Sequence, residues 1–232
     1  MYKNILTYQN PKTLKGRDKG YLTGILHLAP SSSSGYQVCP NASPGCISAC
    51  LNTAGRGRFD KTQTARKQKT ERFFNDREAF ILDLEKSILS IIRKAKREGL
   101  IPCIRLNGTS DLNWLPFGLI QRFPDVQFYD YTKNPHMLNR DLPSNYHLTF
   151  SLSEINETEA QEALSKGFNV AIVFRGSLPL QFWGRPVIDG TETDLRFLDP
   201  QGVIVGLKEK GRAKKDESGF VHIGRMGTQD EK

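Results

Sequence analysis

With 232 residues, 38% of them hydrophobic and 25% charged, the chain has the length for one sizeable core and the polarity of a soluble globular protein. No apolar stretch approaches membrane-spanning length, which sets aside a helical transmembrane role. The net charge of +8 permits contact with nucleic acid or another polyanion without requiring it.

Residues 1–20 (MYKNILTYQNPKTLKGRDKG) read as a polar, basic arm, with neither the apolar run nor the small-residue cleavage site of an export signal. Residues 21–232 read as a single domain that opens with a strand over 21–28 (YLTGILHL). An SSSSGYQ segment and a cysteine loop at 39–50 follow. From Asp60 to Glu98 the pattern is helical but too long for one ordinary helix. Asn75 with Glu78 three residues on reads as a capping box, which splits it. In the second half Phe80, Leu84, Ile88, Ile91, Ile92 and Ala95 form one apolar face, and Gly99 suits a left-handed stop.

Strands and helices then alternate. IPCIRL (101–106) reads as a strand, LPFGLIQRF (115–123) as a short helix, and VQFYDY (126–131) and HLTFSL (147–152) as strands. TEAQEALSKG (158–167) is a helix closed by Gly167. NVAIVF (169–174) is a strand apolar on both faces. PVID (186–189) and VIVGL (203–207) supply one or two more. Repeated β-then-α units predict an α/β fold, a partial β/α barrel of about six mostly parallel strands, too few for eightfold closure.

Three of the four cysteines, Cys39, Cys46 and Cys50, fall in VCPNASPGCISACL, a loop rich in Gly, Pro, Ser and Asn. Disulfides need an oxidising compartment, and three thiols leave one odd. Buried structural cysteines are usually scattered rather than clustered. The pattern therefore predicts metal ligation. Zinc sites favour two short C-x(2–4)-C or H-x(3–5)-H pairs, and only the second gap of C-x6-C-x3-C fits that form. A 4Fe-4S cluster tolerates the wider spacing and is the expected cofactor, with zinc as the alternative. Cys103 sits near the start of its strand, roughly 13 Å from the exit end. It is expected to be a core residue, which leaves a fourth position for substrate, water or His27.

In parallel α/β folds chemistry gathers at the carboxyl ends of the strands. Those ends carry Arg105, Asn107 and Asp111 after one strand, Lys133 after the next, then Ser151, Ser153 and Glu154. Arg105, Asn107, Asp111 and Lys133 are the candidate catalytic residues, although turn formation alone also selects Asn, Asp and Ser. An arginine inside an apolar strand must meet an anion. For Arg105 the alternatives are a ligand and a structural pair with Asp130 or Asp194. Basic residues crowd Arg56–Arg72 (Arg56, Arg58, Lys61, Arg66, Lys67, Lys69, Arg72) and 208–215. Each run is a solvated face or a polyanion site.

The blocks CPNASPGCISACL, RLNGTSDLNW, FYDYTKN, LTFS, NVAIVF and DLRFLDP…VGLKEKGRAKKD resemble an uncharacterised bacteriophage family of gene product 88-like proteins. That resemblance runs from about residue 20 and implies a phage-encoded protein in the cytoplasm of the infected host cell. A more distant, architectural resemblance is to the radical S-adenosylmethionine enzymes. They place a three-cysteine 4Fe-4S loop, usually C-x3-C-x2-C, after the first strand of a partial barrel. The expected function is an iron–sulfur protein with a redox or cluster-dependent catalytic role and, in the redox case, an electron-transfer partner. The alternative is a non-enzymatic nucleic-acid-binding protein stapled by zinc or a cluster.

Overall fold

The computed structural model describes residues 4–9 and 11–224. Among them stand five α-helices and a ten-stranded, mostly parallel sheet. The strands are β1 (Leu6–Thr7), β2 (Tyr21–Leu26), β3 (Ile101–Arg105), β4 (Gln127–Thr132), β5 (Tyr146–Ser151), β6 (Asn169–Gly176), β7 (Gln181–Phe182), β8 (Arg185–Asp189), β9 (Ile204–Lys208) and β10 (Val221–Gly224). The helices are α1 (Pro11–Arg17), α2 (Pro44–Ser48), α3 (Asp60–Asn75), α4 (Arg77–Glu98) and α5 (Glu157–Ser165).

The order β1-β2-β3-β4-β5-β6-β9-β8-β7 runs between two free ends, so the sheet is not closed. From β2 to β6 neighbours in sequence are neighbours in space, and all pair in parallel. Parallel crossovers are almost always right-handed. A run of them in sequential order puts every connection on one face and leaves the other face clear. Along one edge of β6 two partners share the strand. β5 pairs Asn169–Ala171, and β10 takes over at Val173–Gly176.

The covered face holds the main core. α3 ends at Asn75 and α4 begins at Arg77, with Asp76 between them at φ −147°, ψ 66°. The break falls where the capping pattern put it, one residue later in detail. Asp76 occupies the cap, while Asn75 Oδ1 accepts from the Tyr36 hydroxyl. Phe80, Leu84, Ile88, Ile91 and Ala95 of α4 are each at most 1% exposed. Burying such side chains is worth about 1.5–3 kcal/mol for each of the larger ones, so this stripe fixes the helix to the sheet. Gly99 closes α4 in the left-handed region at φ 65°.

Three expectations change. The described residues before residue 21 pack rather than forming an arm: β1 pairs antiparallel with β2, and Ile5 and Leu6 are buried in the core. The stretch 115–123 forms a 3-10 turn at Leu115–Phe117, because Gly118 adopts the left-handed region directly after it. Strands beyond the expected six are mostly short, β1 and β7 being only two residues each. No helix among the described residues is long and apolar enough to cross a membrane.

Candidate functional site

The clear face of the sheet is polar. Side chains alternate along a strand, so Cys103 and Arg105 of β3 face the same side, as do Tyr129 and Tyr131 of β4. The segment after β8 folds across this side. Its Leu195 and Phe197 pack with Tyr21, Cys103 and Tyr129, and Asp194 meets Arg105. Arg105 Nη1 lies 3.2 Å and 2.9 Å from the two Asp194 carboxylate oxygens, and the Tyr129 hydroxyl is 3.4 Å from one of them. The Arg105 guanidinium also stands 4.6 Å from the centroid of the Tyr131 ring. Of the two anticipated partners for Arg105, Asp194 is the one in contact.

Above this floor is a cavity of about 360 Å³. Cys39, Cys46 and Cys50 line it together with Arg105, Asn107, Asp111 and Lys133. The seven residues singled out by sequence thus border one volume. Cys103 does not. It is fully buried beneath Tyr129 and Leu195, with its sulfur 3.1 Å from Thr23 Oγ1. His27 is likewise not among the lining residues.

The cysteine loop is held from beneath. Pro44 starts α2, and Ser43 caps it by accepting from the Cys46 N–H at 3.1 Å. Glu154, at the exit of β5, accepts from the Ser43 hydroxyl at 2.7 Å and from the Gly45 N–H at 2.6 Å. A Cβ on Gly45 would lie 2.7 Å from that carboxylate and 2.2 Å from Ser218 Oγ, so only glycine seats here without displacement. Glu154 was visible in sequence only as one strand-end acid among several.

Backbone N–H groups reach two of the sulfurs: Ser31 N–H donates to Cys39 Sγ at 3.3 Å, and Asn52 N–H to Cys50 Sγ at 3.5 Å. Burial pushes the Cys39 thiol up to about 12, with smaller contributions from Cys50, Asp111 and Cys46. Burial also raises the Cys50 thiol, while Lys133 and Arg66 act in the opposite sense. As they stand, no three His, Cys, Asp or Glu side chains among the described residues gather closely enough to hold a metal ion.

Asn107 and Asp111 are committed to structure. Asn107 Oδ1 accepts from the Ser110 hydroxyl, the Leu112 N–H and Trp114 Nε1, and its Nδ2 donates to Leu112 O. This amide ties the loop after β3 into shape. Asp111 accepts from the Thr132 hydroxyl at 2.8 Å and the Lys133 N–H at 2.9 Å, and burial holds its carboxyl above the usual range. The Lys133 ammonium keeps no such tie and lies 5.6 Å from the centroid of the Phe220 ring.

The basic run after the cysteines does not form one face. Arg56, Arg58, Lys61 and Lys67 are exposed, but Arg66 and Lys69 are buried and Arg72 pairs with Asp83 at 2.6 Å. Arg66 turns inward to the Asn52 side chain. Desolvation lowers Lys69 to about 8, and Arg66 adds to the shift.

No curated protein matches the chain, and no solved structure does. The family model for gene product 88 matches residues 4–223, and the chain belongs to that family.

Proposed function

We propose that the protein carries a 4Fe-4S cluster on Cys39, Cys46 and Cys50 and uses it in redox or cluster-dependent catalysis on a small molecule held in the cavity. The observation that carries this reading is the convergence of three clustered thiols on the volume bordered by Arg105, Asp111 and Lys133. The donor set fits the group. Thiolates are the ordinary ligands of such clusters, and N–H donors to the sulfurs are among the features that tune them. Each cysteine of a cubane binds a different iron, so its ligands stand farther apart than those around a single ion. When bound, the cluster supplies an electron carrier with one iron not taken by cysteine.

The chain's own residues then have separable tasks. Glu154 and Ser43 fix the loop that presents the thiols. Lys133 and the buried Arg66 bring positive charge toward Cys50, where ligation leaves a thiolate. Asn107 is a positioning residue for the loop that carries Asp111. The Arg105–Asp194 pair forms the polar floor. On this reading the open sheet is a partial β/α barrel, with its cysteine loop after the first parallel strand. The zinc alternative keeps the same ligands. The nucleic-acid alternative now rests on the exposed Arg56, Arg58, Lys61 and Lys67 and on the exposed basic residues of 208–215, and is the weaker one.

The test is metal and sulfide analysis of protein purified without oxygen. Wild type should carry iron and acid-labile sulfide in equal amounts, and Cys39→Ala, Cys46→Ala and Cys50→Ala should each lose them. Zinc without sulfide would establish the alternative cofactor. Full iron and sulfide in any single variant would remove that cysteine from the ligand set.

A further inference from the structure

The cavity is electrically lopsided. Five basic residues line it (Lys15, Arg105, Lys133, Lys208 and Lys210) against two acidic ones, Asp111 and Asp194. Both acids are already engaged, Asp194 with Arg105, and Asp111 with Thr132 and the Lys133 backbone. Among the described residues, no carboxylate lies within ion-pair reach of Lys133, Lys208 or Lys210.

These cations fall into two groups. Lys133 acts on Cys50 and so belongs to the cysteine end. Lys208 and Lys15 act instead on Asp189, which is occupied by the Thr191 N–H at 2.8 Å and the Thr191 hydroxyl at 2.6 Å. Lys15 also donates to Thr191 O at 2.9 Å, which draws α1 to this end. Lys210 stands on the turn after β9, next to Gly211, whose Cβ position borders Thr53 and Ala54, three and four residues beyond Cys50. The same lining includes an apolar wall of Ala171, Val173, Leu207 and Phe220. The Tyr131 hydroxyl is buried and has no hydrogen-bond partner.

We propose that the cavity takes a small organic oxyanion, a carboxylate or phosphate ester with an apolar body, whose charged group is held by Lys208 and Lys210 while its body lies along the apolar wall toward the cysteines. A volume of about 360 Å³ is in the range of small-molecule sites rather than of a polymer groove. Unpaired cations around a concave, partly apolar surface concentrate field lines and draw anions in. Lysine is suited to this as a point charge that needs no fixed fork geometry. The inference rests on the cavity being the working site and is independent of which metal the cysteines hold.

The experiment is isothermal titration of the metal-free protein with inorganic pyrophosphate in one arm and citrate in the other. At least one should bind, and binding should weaken as salt rises. Lys208→Gln with Lys210→Gln should weaken it about tenfold or more. Arg56→Gln with Arg58→Gln and Lys61→Gln, on the exposed face of the basic run, should leave it unchanged. The titration is read on protein without metal, so a failed iron assay and a failed titration are told apart. Which arm binds identifies the oxyanion. Binding by neither probe overturns the proposal, as does binding lost in the Arg56, Arg58 and Lys61 variant but kept in the lysine pair. Circular dichroism on each variant confirms that the fold is intact.

Discussion

Removing the carboxylate of Asp194 leaves the Arg105 guanidinium in the cavity floor without its counter-charge. Arg105 is 8% exposed and Asp194 5%, and one guanidinium nitrogen bridges both carboxylate oxygens at 2.9 Å and 3.2 Å. Breaking a buried pair by deleting one partner typically destabilises by about 3–5 kcal/mol. Both residues border the cavity, so water reaches the orphaned charge, and the lower end applies: about 3 kcal/mol for Asp194→Ala. For a chain of this size that is a fall in Tm of roughly 6–12 °C. The double variant Arg105→Met, Asp194→Leu removes both charges and should recover most of the loss, because apolar replacement of a buried pair is often neutral. Urea denaturation of both single variants and the double variant gives the coupling energy directly. A loss below about 1 kcal/mol in Asp194→Ala, or single-variant losses that simply add in the double, would refute the account of the floor.

Three other outcomes are expected. Glu154→Ala removes the acceptor for the Ser43 hydroxyl and the Gly45 N–H, at about 1.5–3 kcal/mol for bonds to a charged group. Amide exchange across residues 43–50 should speed up in this variant while the β2–β6 amides stay protected, and unchanged exchange would free the loop from this anchor. Burial raises the Asp130 carboxyl to about 7, against favourable bonds from the Asn107 N–H and the Tyr146 hydroxyl. The native state therefore holds this proton more tightly than the unfolded chain, and stability declines as pH rises from about 4 to about 7. Asp130→Asn should flatten that decline, by up to about 4 kcal/mol, while an identical pH profile would show that Asp130 titrates normally. Cys103→Ala should retain iron at the wild-type level, since its sulfur faces Thr23 and not the cavity, whereas loss of iron with an intact fold would make the site four-cysteine.

Much of the framework was legible because it rests on strong periodicity. The α4 stripe, the glycine stop and the doubly buried β6 each follow from patterns that tertiary context reinforces. The two-residue strands β1 and β7 were not legible, because pairing that brief leaves no period to read. Nor was the packing of Ile5 and Leu6, which sit among polar neighbours and gain their burial only from β2 and α4. At the site, topology alone brought the strand ends to the cysteines. What each side chain does there depended on partners distant in sequence. Asp194 lies 89 residues from Arg105, and Glu154 lies 109 residues from Gly45. The basic run misled for a related reason. Composition counts Arg66 and Lys69 with their neighbours, whereas helical geometry turns them inward.

The polar character of the clear face bears on function more than any one residue does. β/α barrels ordinarily fill the inner face of their sheet with branched apolar side chains, and an apolar filling is the more stable choice. Here the same positions hold Arg105, Tyr129, Tyr131 and Asp194, and above them stands an open volume rather than packed hydrocarbon. Buried charge of this kind adds little to stability even when fully paired. It does, however, set a low-dielectric polar surface under whatever occupies the cavity, where fixed charges act more strongly than in water. The thiols and the unpaired Lys133, Lys208 and Lys210 border the same volume. An anion held at the lysines has its remaining atoms directed along Ala171, Val173 and Leu207 toward Cys39, Cys46 and Cys50. On the reading proposed above, the interior is a binding site with a reactive end, and that role rather than stability accounts for its polar floor.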